Sequence, residues 1–512
     1  MKPVLKFLSA AVLAALSTAA IADQSKLTRV AAVQAGAEIT GLFIGVDGEL
    51  FLNAQHPSDT NPAPYNKANL MVIPRADFAA KALPVPADAD KNKVTTTLGG
   101  LRIIASAGDF DGVLGQIKAA DGSTLLQSND PDFNAFVAVD KDSGYLFTNW
   151  EDRPGGMSRI KLERDGNAWK ATDAMMIDFT SIGGTWVNCF GTLSPWNTPL
   201  SAEELYFDNT ADWNNAASKY FADQQNLEKH LGKFPNPYRY GYIVEVTDPA
   251  GTPKPVKKFA MGRFSHENAV VMPDNKTVYL SDDGTDVVFF KFVADKAGDL
   301  SAGTLYAAKV TQEEGSKDPA VAGFGVEWIE LAHATEADVE KWIAEYDAIT
   351  PEQFKEGETS YISDADIAAW AEGKAKDNRV AFLESRKAAA AKGATAEFRK
   401  MEGVNTNAKV PGKVFMAMSE ISKGMSDDKG DVQLDQNKCG VVYEMDADEN
   451  QNITHMKPLV AGMGYNKAAE VNQCSVDSVS NPDNLLVLDN GDVLIGEDTS
   501  KHENNMLWVY KR

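Results

Sequence analysis

Apolar and polar positions alternate in short runs along most of this chain. Runs at 48–53, 144–150, 241–247, 276–281, 287–293, 303–310, 412–418, 440–445, 484–488 and 492–496 are rich in Val, Ile, Phe and Tyr and are bounded by Asp, Asn or Gly. A period of two over such short stretches predicts half-buried β-strands. Several follow an Asp-containing turn, as at Val46-Asp47-Gly48, Pro273-Asp274-Asn275 and Asp489-Asn490-Gly491. From about 334 to 397 the pattern changes, and apolar residues return at helical spacing in an Ala-, Glu- and Lys-rich background. Val339, Trp342, Ile343 and Tyr346 make one stripe at i, i+3, i+4 and i+7. Thr350-Pro351-Glu352 reads as an N-cap with proline at the first helical position. Helix is expected to continue over 365–392, with Ile367, Trp370 and Ala371 on one side. The expectation is an all-β protein with a helical insertion at 334–397, either a cap on one face or a packing appendage.

The strand runs keep no strict period, so their number of repeats cannot be read from the spacing. Loose recurrence of an apolar run, an Asp turn and a strand is nevertheless how degenerate β-propeller blades look. Length points the same way. About 490 mature residues exceed one ordinary core, and a propeller grows by adding blades around an axis.

The first 22 residues read as an export signal: Lys2 and Lys6, an apolar run over 7–16, then Ala20-Ile21-Ala22 as a small-x-small cleavage site. The run is too short to span a bilayer. A periplasmic or secreted protein is expected, cleaved after Ala22, with 23–512 as the mature catalytic domain. Loss of Lys2 and Lys6, with no acid lost, takes the net charge from −23 to −25. So acidic a chain is a poor partner for nucleic acid or an anionic membrane. A monomer is expected.

Three cysteines are an odd number for an oxidising compartment. Cys439 and Cys474 are expected to pair, leaving Cys189 as a free thiol. Cys189 lies in Trp186-Val-Asn-Cys-Phe-Gly-Thr-Leu-Ser-Pro-Trp-Asn-Thr-Pro-Leu-Ser-Ala-Glu-Glu-Leu205, ahead of the pair Glu203 and Glu204. A soft thiolate and hard carboxylates at one point suit iron better than zinc or calcium alone. The alternative is a small buried cysteine followed by two solvated acids.

This segment resembles the N-C-x-G-G-x-T-P-W-G-T-W-L-x-C-E-E signature of PhoX-type alkaline phosphatases. Other segments resemble the same family: Gly262-Arg-Phe-Ser-His-Glu-Asn268 with Val278-Tyr-Leu-Ser-Asp-Asp283; Phe398-Arg-Lys-Met-Glu-Gly403 after Ala394-Thr395; and Pro482-Asp-Asn-Leu485 with Leu494-Ile-Gly-Glu-Asp498. Ser128-Asn-Asp130 and Asn149-Trp-Glu151 match more weakly. Glu38-Ile-Thr-Gly41 with Gln55-His-Pro57 resembles a motif that usually closes the family's C-terminal end, so the chain looks circularly permuted.

The resemblance implies a six-bladed β-propeller with an iron and calcium centre on its axis, hydrolysing phosphate monoesters. It implies ferric iron on Cys189, Glu204, Glu267 and Glu402, and calcium on Glu203, Asp483 and Asn129. Arg399 or Lys400 would hold the phosphate. His266, beside Glu267, is a candidate proton donor to the leaving group, with a structural histidine as the alternative. Several positions depart from the family pattern: Phe190 and Thr192 replace small residues, Pro199 replaces a Trp, and Ala202 replaces a Cys. Arg399 and Lys400 straddle the place of the phosphate-binding Arg, and Lys cannot clamp an oxyanion in bidentate fashion. A phosphodiesterase on the same site, or a calcium-stabilised binding propeller without catalysis, are the other readings. Asp446-Ala-Asp448 begins like an EF-hand loop but lacks the glycine and final Glu, so a hairpin turn is expected there.

Overall fold

The computed structural model describes residues 24–512 apart from 167, 206 and 208. The export signal therefore lies outside the described residues. The described fold is all-β with few helices, and each run of alternating residues named above falls on a strand. Six strands are innermost in their sheets: Glu38–Ile44, Pro131–Ala138, Asn188–Leu193, His266–Val271, Met401–Thr406 and Pro482–Val487. From each, three or more further strands extend outward by antiparallel pairing. The sheets that start at His266 and Met401 are joined at their outer edges into one nine-stranded sheet, through a short pairing of Phe324–Thr335 with Ile453–Ala461. Each innermost strand lies against the next in chain order, and the last lies against the first. The six thus surround a common axis as a nearly closed ring.

The two ends of the chain complete one sheet. Leu27–Ala32 pairs antiparallel with Met506–Tyr510, Leu27 opposite Tyr510. Apolar side chains fill the spaces between neighbouring sheets; Phe51, Leu70, Phe136, Leu146, Trp150 and Trp169 pack in one such space. Such sheet-on-sheet packing removes apolar surface that no single sheet could bury alone. The Cys439–Cys474 disulfide is formed, and Cys189 is free and buried.

Four short helices occupy the insertion: Glu336–Ala344, Asp364–Ala371, Arg379–Leu383 and Ser385–Ala391. Thr335 and Ser363 start the first two with reciprocal capping boxes to Asp338 and Asp366. Val339 and Ile343 are buried, and Trp342 and Tyr346 pack against the same core. Thr350-Pro351 does not start a helix. The chain makes one turn, with Phe354 N bonded to Thr350 O at 2.9 Å, and Gly357 at φ 76 ends it. The continuous helix expected over 365–392 is broken at Gly373 and again at Glu384, where φ −133 and ψ 52 are non-helical. At 448–452 the chain makes the expected hairpin turn, Asp448 accepting from Asn450 N and Asn452 N.

Candidate metal centre

The site is built by one local irregularity repeated around the ring. In five of the six innermost strands the pairing register slips near the start, so that two residues oppose one. Asn188 and Gly191 pair with Glu203 and Ser201, and Cys189 lies in the slip. Glu267 lies likewise between His266 and Ala269, Glu402 between Met401 and Val404, Asp483 between Pro482 and Leu485, and Asp132 between Pro131 and Asn134. A β-bulge re-aims the side chain it carries, and here it brings four carboxylates and a thiol together at one end of the axis. Glu38 comes from the start of the sixth strand. The second bulge residue is Asn in two strands and ties neighbouring strands together. Asn268 exchanges two bonds of 2.9 Å with the backbone of Val404, and Asn484 Oδ1 accepts from Gly41 N at 2.8 Å.

Ligand atoms converge in overlapping groups, the atoms of each lying within 4.8 Å of one another: Asp132, Cys189 and Glu267; Glu151, Cys189 and Glu204; Glu267, Glu402 and Asp483; Glu38, Asp483 and Asp498. Cys189 Sγ donates to Asp132 Oδ2 at 2.8 Å and to Glu267 Oε2 at 3.3 Å. Val187, a β-branched residue at φ 47, turns the chain into this strand. That conformation is costly for such a side chain and is held by its surroundings. Its N–H bonds to Asp152 O at 3.0 Å and its carbonyl accepts from Glu204 N at 2.9 Å.

So many acids in one buried place raise one another's pKa. Burial, then the negative charge of neighbours, pushes Glu38, Glu151, Glu204, Glu267 and Asp483 well above the usual carboxylate range. Burial drives Asp132 to about 6 and Glu402 to about 7. The Cys189 thiol is pushed up by burial and then by Asp132 and Glu204. Lys400 sits among these acids, at 2.7 Å from Asp283 Oδ2 and 3.0 Å from Glu402 Oε1. Burial raises Asp283 too, but Lys400 and a hydrogen bond from Glu204 outweigh it and hold Asp283 low. One lysine does not balance this set. Among the described residues, Glu267 Oε1 and Asp283 Oδ1 are buried without a hydrogen-bond partner. Buried acids are stable when paired or when they hold a cation, and a thiol with hard oxygens is a donor set for a transition metal beside calcium.

The structure corrects part of the sequence reading. Cys189, Glu204, Glu267, Glu402, Asp483 and Lys400 come together as expected. Glu203 does not join them. It is buried on the other side of its strand, where it pairs with Lys257 at 2.8 Å and accepts from Trp186 N and Tyr242 N. Asn129 is spent on the backbone, its Oδ1 accepting from Ala68 N at 2.7 Å. His266 also points away. It stacks on Phe264, its Nε2 lies 3.0 Å from Gly262 O, and burial pushes its pKa down to about 3, so it is neutral at ordinary pH. Arg399 bonds to Gly284 O at 3.1 Å and Thr285 Oγ1 at 2.7 Å and makes no ion pair among the described residues. Asp132 is an addition. Glu38, Glu151, Asp283 and Asp498 stand in the quoted motifs without a role.

The opposite end of the same strands is of another character. A cavity of about 610 Å³ there is lined mainly by apolar groups such as Leu42, Phe190, Val270 and Leu486, which do not suit a phosphate.

No curated protein matches the sequence. Among solved structures, the fold resembles that of Pseudomonas fluorescens PhoX in complex with vanadate, a transition-state analogue. The TM-score is 0.55 at 19% identity, over 78% of this chain and 83% of that one. A Trichoderma reesei carbohydrate-active enzyme of family AA12 covers 98% of this chain and 100% of its own at 9% identity, with a TM-score of 0.34, too loose a likeness to bear on function. The family model for alkaline phosphatase PhoX matches residues 165–511, and this chain therefore belongs to the PhoX alkaline phosphatase family.

Proposed function

We propose that this protein hydrolyses phosphate monoesters at a polynuclear iron and calcium centre on the axis of a six-bladed β-propeller. The observation that carries the reading is the set of bulges that turns Asp132, Cys189, Glu267, Glu402 and Asp483 into one place. Nothing in strand packing requires acids there. The ring of six innermost strands supports the propeller. Glu38, Asp132 and Glu151 precede the family match at 165–511 yet share its cluster, which supports the circular permutation.

Cys189, Glu204, Glu267 and Glu402 would hold iron, and Glu38, Asp132, Asp483 and Asp498 would share calcium. Bound metal would supply the positive charge and Lewis acidity that phosphoryl transfer needs. The residues of the chain do the rest. Lys400, fixed between Asp283 and Glu402, presents an ammonium beside the centre to a phosphoryl oxygen. Ser419 donates to Glu402 at 2.7 Å and Gln55 to Glu151 at 2.7 Å, which orients both carboxylates. Arg399, free of any ion pair among the described residues, is the second group for the phosphate. Export as a Sec substrate, to the periplasm or beyond, is supported by the Cys439–Cys474 disulfide, which belongs to an oxidising compartment.

The test is metal analysis of protein purified from its own compartment, with p-nitrophenyl phosphate and its bis ester assayed with and without chelator. Iron and calcium, with chelator-sensitive monoester hydrolysis, support the reading. Faster hydrolysis of the bis ester would make it a phosphodiesterase, and a colourless, inactive protein would make it a binding propeller.

A further inference from the structure

Two lysines, Lys438 and Lys501, lie beside the acidic cluster, on the seam between the sheets that start at Met401 and Pro482. Their hub is Asn481, two residues ahead of Asp483 and so within about 7 Å of it along the backbone. Asn481 adopts φ 44. Its Oδ1 accepts from Lys501 Nζ at 2.9 Å and from Thr499 Oγ1 at 2.6 Å. Its Nδ2 donates to the carbonyls of Ser419 and, at 3.4 Å, of Lys438. Lys438 is ion-paired with Glu420, which follows the Ser419 that bonds Glu402. The pair thus touches the same loop that orients a candidate ligand.

Two features set these lysines apart. Lys501 makes no ion pair among the described residues, in a chain where 73 acids outnumber 50 bases. Burial lowers its pKa, and Lys438 opposes its charge while Glu420 and Asp498 favour it. The segments that carry the two lysines are also stapled together. Cys439 follows Lys438, and Cys474 N donates to Lys501 O at 3.2 Å, so the Cys439–Cys474 disulfide fixes one against the other. Lys501 is thus a half-buried cation held in place without an acid partner, a poor stabiliser and a good receptor, with Lys438, already paired to Glu420, adding its charge.

We propose that Lys438 and Lys501 form a second anion subsite, which takes a further phosphate or carboxylate group carried on the leaving side of the substrate. This rests on the phosphatase reading of the adjacent centre. The site then prefers phosphate esters that bear two anionic groups over those with a neutral leaving group.

The test compares the metal-loaded enzyme with its Lys438→Gln/Lys501→Gln variant on glycerol 1-phosphate and 3-phosphoglycerate, which differ by one carboxylate. A charge-assisted contact at a half-exposed site predicts a kcat/KM ratio of about ten in favour of 3-phosphoglycerate at low salt. The ratio falls to about one in the variant and is restored by Lys501→Arg with Lys438 intact. Calorimetric titration of the same proteins with pyrophosphate and orthophosphate is expected to show the same gap in affinity, lost in the variant. Equal ratios and equal affinity gaps in wild type and variant overturn the subsite. Should wild type hydrolyse neither ester, the phosphatase reading fails, and the calorimetric gap alone decides the subsite.

Discussion

Metal stripped from this protein at pH 5 leaves a cluster of largely protonated acids, and raising the pH to 8 then forces charge into it. A carboxyl whose pKa is raised by folding holds its proton more tightly in the folded state. Its stabilising effect is complete below the unfolded pKa, near 4, and is lost as the pH rises through the folded value. For Asp132, the rise from 3.8 to about 6 corresponds to about 3 kcal/mol lost between pH 4 and 7. For Glu402, the rise from 4.5 to about 7 gives about 3 kcal/mol over a similar range. Both are fully buried, so solvent does not screen the effect. Glu204, Glu267 and Asp483 act in the same direction; Asp283, held low by Lys400, stays ionised over this range and adds no slope. The acids share one field, so these figures do not simply add. Even one is a large part of the 5–15 kcal/mol that holds an ordinary fold together. The assay is the urea midpoint of metal-free and metal-loaded protein at pH 5, 6, 7 and 8. The metal-free midpoint is expected to fall steadily over this range while the loaded form changes little. A metal-free midpoint as high at pH 8 as at pH 5 would refute the reasoning.

Cys189→Ser is expected to remove iron and visible absorption and to lower kcat/KM for p-nitrophenyl phosphate about 100-fold or more; elemental analysis and kinetics check both. Glu203→Gln is expected to act on stability instead, because it leaves Lys257 buried without its partner. Denaturation should show a loss of about 3–5 kcal/mol, with metal content unchanged. His266→Asn is expected to leave both limbs of the pH–rate profile in place above pH 5, since the imidazole is already neutral there. A lost limb in that profile would restore His266 as a proton donor.

The legible parts of the fold are the strands whose apolar runs lie between clear turn residues. Thr277–Asp282 and Lys413–Met418 sit mid-sheet, buried along nearly their whole length, and show plain apolar runs between turns. The innermost strands are harder to see. Pro131-Asp132-Phe133 looks like a turn, and the bulge that carries Asp132 breaks any alternation. That is why the sequence points to Asn129, three residues earlier, and not to Asp132. The errors at the site have a common cause. Neighbouring residues in extended chain point to opposite faces, so adjacent pairs in a motif cannot serve one centre together. Of Glu203 and Glu204, one reaches the axis and the other meets Lys257. Of His266 and Glu267, the acid turns inward and the imidazole packs on Phe264. Of Arg399 and Lys400, Lys400 at φ 52 enters the cluster and Arg399 bonds the neighbouring hairpin. The helical insertion was plain from its stripe, but its breaks depend on tertiary contacts. Glu384, for one, accepts hydrogen bonds from Thr210 and Tyr238.

An anomalous-diffraction map at the iron edge, from crystals of natively purified protein, tests the central claim most directly. The account predicts an iron peak bonded to Cys189 Sγ, with carboxylates of Glu204, Glu267 and Glu402 around it. An active enzyme whose Cys189 sulfur touches no metal would contradict it.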